Sequence, residues 1–110
     1  MIIYSYMKIN PLQLEAKIFK GFADQSRLSI ISAILNGPRT VTEIVETTNL
    51  SQSNVSAHLS CLLECGLIKK ERRGREALYE SSSKDVSDII NYVKKIVKKN
   101  SKAIYNCTHY

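Results

Sequence analysis

The sequence has no apolar run long enough to cross a membrane, and its apolar start, MIIYSYMK, is too short for a signal peptide. Acidic residues are also scarce: 10 aspartates and glutamates face 16 lysines and arginines, which leaves a formal net charge of +6. Internal repeats, low-complexity blocks and linkers are missing. These absences argue against a membrane or multidomain protein. They predict a single cytoplasmic domain over residues 1–110 that prefers anionic partners such as nucleic acid.

Cysteine is limited to three residues, an odd number that a disulfide framework does not fit. In a reducing cytosol, three thiols indicate metal binding, redox sensing or simple burial. Cys61 and Cys65 are four residues apart, so on a helix their sulfurs lie one above the other and can share an ion. No acid–base partner is placed beside a cysteine in a recognisable catalytic arrangement, so an enzyme is not expected.

Helical periodicity of the apolar residues predicts five helices, and three of them precede the helix that contains Cys61 and Cys65. Asn10 is expected to cap the first, over residues 10–23, and Asp24 to cap the second, over residues 25–36. A brief third helix is expected to follow, with Thr42 as its cap.

The fourth helix is predicted between an N-cap at Ser51 and a stop at Gly66. Its apolar stripe comprises Val55, Leu59, Leu62 and Leu63. Cys61 and Cys65 lie on a different, polar face, together with short donors and acceptors that suit base edges and phosphates. The DNA-contacting residues predicted on this helix are Ser51, Gln52, Ser53, Asn54, Ser56 and His58. The alternative for Ser51 is a simple cap, and the alternative for His58 is a packing or phosphate contact.

A charged hairpin is predicted directly after that helix. Strand-like segments flank the tip Arg72-Arg73-Gly74-Arg75, where Gly74 supplies the positive φ that a tight turn needs. Arg73 and Arg75 are expected to contact DNA, with simple solvation of the hairpin as the alternative for Arg72 and Arg75. Two short helices joined by a polar turn and followed by a basic hairpin predict an α+β, mainly α fold: a winged helix-turn-helix with five helices and a β-hairpin wing.

The last helix is predicted over residues 83–101, opening with a capping box at 82–85. Its apolar stripe and the largely apolar first helix together predict a homodimer interface. The lysines near its end are interpreted as a solvated face that pairs with the helix dipole; they are Lys94, Lys95, Lys98 and Lys99.

Two flanking segments complete the predicted organisation. Residues 1–9 are expected to form a flexible arm, with Met7 as an alternative start. Residues 102–110 are expected to form a short tail that contains Cys107 and His109.

The stretch SNVSAHLSCLLECGLIKKERRGREALYE, preceded by FADQSRLSIISAIL, resembles the ArsR/SmtB family of metal-responsive bacterial repressors over roughly residues 12–100. The resemblance implies a winged-helix homodimer, built on the first and last helices, that binds an inverted-repeat operator in double-stranded DNA and releases it when metal binds. Two metal sites common in that family are missing here, because residues 41–46 contain no cysteine and the last helix contains no histidine.

Cys61 and Cys65 with a tail cysteine are similar to the cadmium- and lead-sensing CmtR branch of that family. This resemblance implies Cd(II) or Pb(II) as the inducer, held by the thiolates of Cys61, Cys65 and Cys107. Zn(II) is a further candidate, for which His109 would supply the fourth ligand that zinc prefers. Two alternatives stay open: a thiol-redox sensor of the same family, and a repressor of the family that binds no metal.

Overall fold

The computed structural model describes residues 10–109, which contain five helices and one two-stranded antiparallel sheet. The helices are α1 (Pro11–Phe22), α2 (Gln25–Ala33), α3 (Val41–Thr48), α4 (Gln52–Glu64) and α5 (Lys84–Asn106), and the strands are β1 (Ile68–Arg73) and β2 (Glu76–Ser81). This order confirms the predicted winged helix-turn-helix. The predicted arm over residues 1–9, with its alternative start at Met7, lies outside the described residues.

Side-chain caps determine where four of the helices begin, three of them at the predicted residues. Asn10, Asp24 and Ser51 each accept a hydrogen bond from a backbone N–H of the following turn, at 2.8, 2.9 and 3.1 Å. These bonds satisfy N–H groups that have no partner within the helix. The three predicted caps are therefore confirmed, although α2 ends at Ala33 and not at residue 36.

The predicted cap of the third helix is wrong, because Thr40 takes that position and not Thr42. The Thr40 side chain accepts from the Glu43 N–H at 3.2 Å, and the Glu43 carboxylate accepts from the Thr40 N–H at 2.9 Å. Arg39 exchanges two backbone hydrogen bonds with Tyr79, at 2.9 and 2.8 Å. This short bridge to β2 holds the chain extended up to Thr40, so α3 begins immediately afterwards.

Helix α5 is longer than predicted and continues to Asn106, so only residues 107–109 of the predicted tail are non-helical within the described part of the chain. Its backbone departs from helical geometry at Asn100 (φ −124°, ψ 19°), whose side-chain amide donates to the Ile96 carbonyl at 3.0 Å. The predicted capping box at residues 82–85 is wrong, because Ser83 holds the N-cap position without a side-chain hydrogen bond.

The core draws on every helix and on both strands, and its most buried side chains are Ile30, Ile31, Ile34, Ile44, Val55, Leu59 and Leu62. The apolar stripe of α4 therefore faces inward as predicted, while Cys61 and Cys65 are exposed. No helix within residues 10–109 is long and apolar enough to span a bilayer.

Large apolar side chains remain exposed along α1 and α5 in the single chain. Leu12 and Phe19 of α1 are 69% and 65% exposed, and Tyr92 and Ile96 of α5 are 62% and 54% exposed. Leu12 and Phe19 are seven residues apart and Tyr92 and Ile96 are four apart, so each pair shares one side of its helix, which favours a protein–protein interface. We call these four residues the apolar face.

Candidate nucleic-acid interface and thiol site

Helices α3 and α4 are joined by a turn at Asn49. Its backbone is left-handed (φ 60°), a conformation that asparagine tolerates better than most residues, and its N–H donates to the Val45 carbonyl at 2.9 Å. Ser51 then caps α4. This is the compact turn of a helix-turn-helix, in which the second helix presents its N-terminal residues to the major groove.

The first turns of α4 present a row of small polar side chains to solvent, and the predicted contacts on this helix are all exposed except His58: Ser51, Gln52, Ser53, Asn54 and Ser56. Ser51 differs from the other four, because its hydroxyl is used by the cap and also lies 3.3 Å from the hydroxyl of Ser53. The structure thus gives Ser51 a structural role. The side chains of Gln52, Asn54 and Ser56 make no hydrogen bond within the described residues and remain free to reach base edges or phosphates, whereas the Ser53 hydroxyl is within hydrogen-bonding reach of Ser51.

His58 is half-buried, unlike the polar residues that precede it in α4. The pKa of Asp24 lies below its ordinary value, chiefly because the Arg27 backbone N–H donates to its carboxylate, with smaller contributions from the Arg27 and His58 charges. The partial burial of His58 supports the packing role that is one alternative to a base contact.

The wing turns at Gly74 (φ 63°) and Arg75, between the paired residues Arg73 and Glu76. Arg72 braces the turn by donating to the Arg75 carbonyl at 3.3 Å. The Arg73 guanidinium lies 3.6 Å from the carboxylate of Glu71, and both groups are exposed. Within residues 10–109 no carboxylate lies within 4.0 Å of the Arg75 guanidinium, which leaves it free to bind a phosphate.

The C-terminal end of α4 is closed by two hydrogen bonds around Gly66 (φ 76°). The Gly66 N–H donates to Leu63 and the Leu67 N–H donates to Leu62, both at 3.1 Å. This is a Schellman motif, and it confirms the predicted stop. Cys61 and Cys65 occupy the final turn, where the Cys65 N–H donates to the Cys61 carbonyl at 3.1 Å.

The thiol of Cys65 borders a cleft between α1 and the end of α4, lined by Leu14, Lys17, Ile18, Glu64 and Cys65. Burial raises the pKa of the Cys65 thiol, as do the Cys61 thiol within hydrogen-bonding reach and Glu64, while the Lys17 ammonium opposes them. An ion that binds here must therefore displace a proton. Sequence reasoning missed Lys17, because only packing of α1 against α4 brings it to Cys65.

Cys107 follows the last residue of α5, and both Cys107 and His109 are exposed. Within residues 10–109 of one chain, no three side chains of Cys, His, Asp or Glu gather closely enough to hold a metal ion. A single chain thus brings together Cys61 and Cys65 but not the third predicted ligand. The thiol pair alone fits a soft ion, because adjacent thiols on one face of a helix can bind it jointly.

The helix-turn-helix, the basic hairpin and the exposed polar face of α4 define a winged-helix DNA-binding domain. Residues 24–70 match the family described as "Bacterial regulatory protein, arsR family". Over 93 residues, which are 84% of this chain and 74% of the relative, the sequence is 37% identical to a probable mercury resistance operon repressor of Streptomyces lividans. The chain belongs to the ArsR family, which is a family of regulatory proteins and not of enzymes.

Two further similarities concern the fold and the family. A solution structure of the homodimeric winged helix-turn-helix DNA-binding domain Mb0332 from Mycobacterium bovis superimposes with a TM-score of 0.72 at 26% identity, covering 90% of this chain and 89% of that one. CmtR of Mycobacterium tuberculosis is 38% identical over 64 residues. That match spans 58% of this chain and about half (54%) of CmtR.

Proposed function

We propose that the protein is a metal-responsive transcriptional repressor of the cytoplasm. Its metal-free homodimer binds an inverted-repeat operator in double-stranded DNA and releases it when Cd(II) or Pb(II) binds. One observation carries the proposal: the exposed thiols of Cys61 and Cys65 lie one turn apart on the same helix whose first turns present the polar residues suited to DNA. A ligand at one end of α4 therefore acts on the element that contacts DNA.

The proposed inducer site consists of the thiolates of Cys61, Cys65 and Cys107. Three soft sulfur ligands suit Cd(II) or Pb(II), whereas Zn(II) would favour a fourth ligand such as His109. The names of the relatives support soft metal ions in general, since one is called a mercury resistance repressor. One chain does not bring three ligands together within its described residues. We therefore propose that each site takes Cys61 and Cys65 from one subunit and Cys107 from the other.

The apolar face supports the homodimer. Leu12, Phe19, Tyr92 and Ile96 are all more than half exposed in the single chain, which is costly for apolar side chains that have no partner. Mb0332, which has the same fold, is described as homodimeric. A dimer through α1 and α5 would place Cys107, at the end of α5, on the partner's side of the interface.

Release from DNA follows from the spacing of the two recognition helices, which are the α4 helices of the two subunits. They contact half-sites about one DNA turn apart, so a small rotation of one helix prevents the two from fitting their half-sites at the same time. Tying the end of α4 to α5 of the partner would re-aim the helix. Specific binding exceeds non-specific binding by roughly 4–10 kcal/mol, and the metal need remove only part of that difference.

The test is a titration of the reduced protein with Cd(II) and Pb(II), followed by the ultraviolet absorbance of the thiolate-to-metal bond. The wild type is expected to saturate at one ion per chain, and Cys61→Ser and Cys107→Ser to bind more weakly. His109→Ala serves as the control that should leave Cd(II) binding unchanged.

Mixed dimers locate the third thiol. Neither Cys61→Ser/Cys65→Ser nor Cys107→Ser chains hold all three sulfurs, but a site shared between subunits is rebuilt once in each mixed dimer. Recovery of the absorbance on mixing therefore supports a shared site. If the wild type shows no band, and oxidant alone releases DNA, the protein is a thiol-redox sensor. If neither metal nor oxidant acts, it is a repressor of this family without thiol chemistry.

A further inference from the structure

The positive charge of the chain is not located on its recognition helix. Helix α4 contains no lysine or arginine, and the wing over residues 68–81 has five basic and three acidic residues, a net +2. Helix α5 has six lysines and two aspartates, a net +4 out of +6 for the whole chain. The basic character of the protein therefore resides mainly on α5.

Four of these lysines form one surface, which we call the lysine stripe: Lys94, Lys95, Lys98 and Lys99. At 100° per residue they fall within one side of α5, opposite Val93, Ile96 and Val97. All four are exposed. A dimer that covers Val93, Ile96 and Val97 leaves Lys94 and Lys98 facing outward, while Lys95 lies beside Tyr92 at the edge of the apolar face.

The helix dipole accounts for only part of the lysine stripe. Lys98 and Lys99 lie immediately before Asn100, where the backbone departs from helical geometry, so they can pair with the dipole of the helical segment that ends there, whereas Lys94 and Lys95 lie before its last turn. No carboxylate among residues 10–109 lies within 4.0 Å of them, and the one internal contact is that of the Lys95 ammonium, 5.1 Å from the centre of the Tyr92 ring. Lys94 and Lys98 also repel each other at the i, i+4 spacing, which destabilises a helix.

We infer that the lysine stripe is a second DNA-binding surface, one that contacts the phosphates of double-stranded DNA without regard to sequence. A recognition helix with no cation must leave phosphate neutralisation to other elements, and lysines supply it by releasing condensed counterions. The four lysines span roughly 7.5 Å of helix axis. That length matches two or three phosphates, which are spaced about 3.4 Å apart along the axis of one strand. The inference rests on DNA binding by the proposed repressor but not on its metal site.

The test compares two double variants of the full-length, reduced, metal-free protein. Lys94→Gln/Lys98→Gln removes two charges from the lysine stripe, and Lys20→Gln/Lys84→Gln removes two exposed charges elsewhere, so each lowers the formal charge from +6 to +4. Binding to a 30-base-pair duplex of unrelated sequence is measured by fluorescence anisotropy across a range of salt concentrations. Each phosphate contact contributes about 0.9 to the slope of log K against log salt.

The Lys94→Gln/Lys98→Gln protein is expected to lose about one to two from that slope and about tenfold or more in affinity at 0.1 M salt, while the control keeps the wild-type slope. Lys94→Arg/Lys98→Arg should restore the slope. The melting temperature of Lys94→Gln/Lys98→Gln should not fall, since a repulsive pair is removed, and this separates lost contacts from misfolding. The inference would be overturned if both double variants lost the same amount from the slope, or if both kept the wild-type slope. The proposed metal response is measured separately and survives either result.

Discussion

Leu67 packs directly against Gly21: a Cβ atom on Gly21 would lie 3.1 Å from Leu67 Cδ1. Leu67 is buried and follows Gly66, where α4 ends beside its two thiols. Gly21 belongs to α1, which carries half of the apolar face. The contact thus joins the thiol end of the recognition helix to the helix that we assign to the dimer interface.

A side chain at Gly21 is expected to disturb that junction. Gly21→Val should lower the free energy of unfolding by about 1–3 kcal/mol, because the buried Leu67 has little room to move. Urea denaturation measures the change. In a Leu67→Ala background the same substitution should cost less, since the space is then free. An equal cost in both backgrounds would show that the contact is not the cause.

The cap of α4 is expected to matter for stability more than for direct DNA contact. Ser51→Ala should cost about 1 kcal/mol, because the Asn54 N–H loses its acceptor. Ser56→Ala is the matched control: Ser56 is exposed and caps no helix, so the free energy of unfolding should change little. Thermal or urea denaturation of the two variants decides between a cap and a surface serine.

The polar face of α4 and the tip of the wing are expected to affect DNA binding differently. Asn54→Ala should weaken operator binding by about 1–3 kcal/mol and relax the sequence preference, because an amide pairs with a specific base edge. Arg75→Gln should weaken binding to all sequences alike and reduce the salt slope by about one. Anisotropy with operator and unrelated duplexes distinguishes them. A uniform loss for Asn54→Ala would assign that side chain to phosphate.

A charge in the apolar face is expected to separate the subunits. Phe19 is 65% exposed in one chain, so Phe19→Glu should leave the monomer folded but weaken the dimer by about 2 kcal/mol or more, as loss of a buried aromatic anchor does. Sedimentation velocity reports the dimer and circular dichroism the fold. Thr42→Glu, an exposed position on α3, should leave both unchanged. A dimer that resists Phe19→Glu would place the interface elsewhere.

The local sequence determined most of the fold. Asn10, Asp24 and Ser51 signal helix starts through short-range hydrogen bonds, and Gly66 and Gly74 signal turns through their backbone freedom, so neighbouring residues suffice to predict them. The period of the apolar residues likewise placed Val55, Leu59 and Leu62 in the core and left Cys61 and Cys65 outside.

Tertiary structure decided what depends on contacts between distant segments. Packing of α1 against α4 placed Lys17 beside Cys65, and no local pattern encodes this, because only folding brings the two residues together. The cap of α3 is different, since Thr40 and Glu43 form a capping box that the local sequence contains. The sequence identified the three thiols as candidate ligands. Only the fold showed that Cys61 and Cys65 lie together within one chain and that Cys107 does not join them.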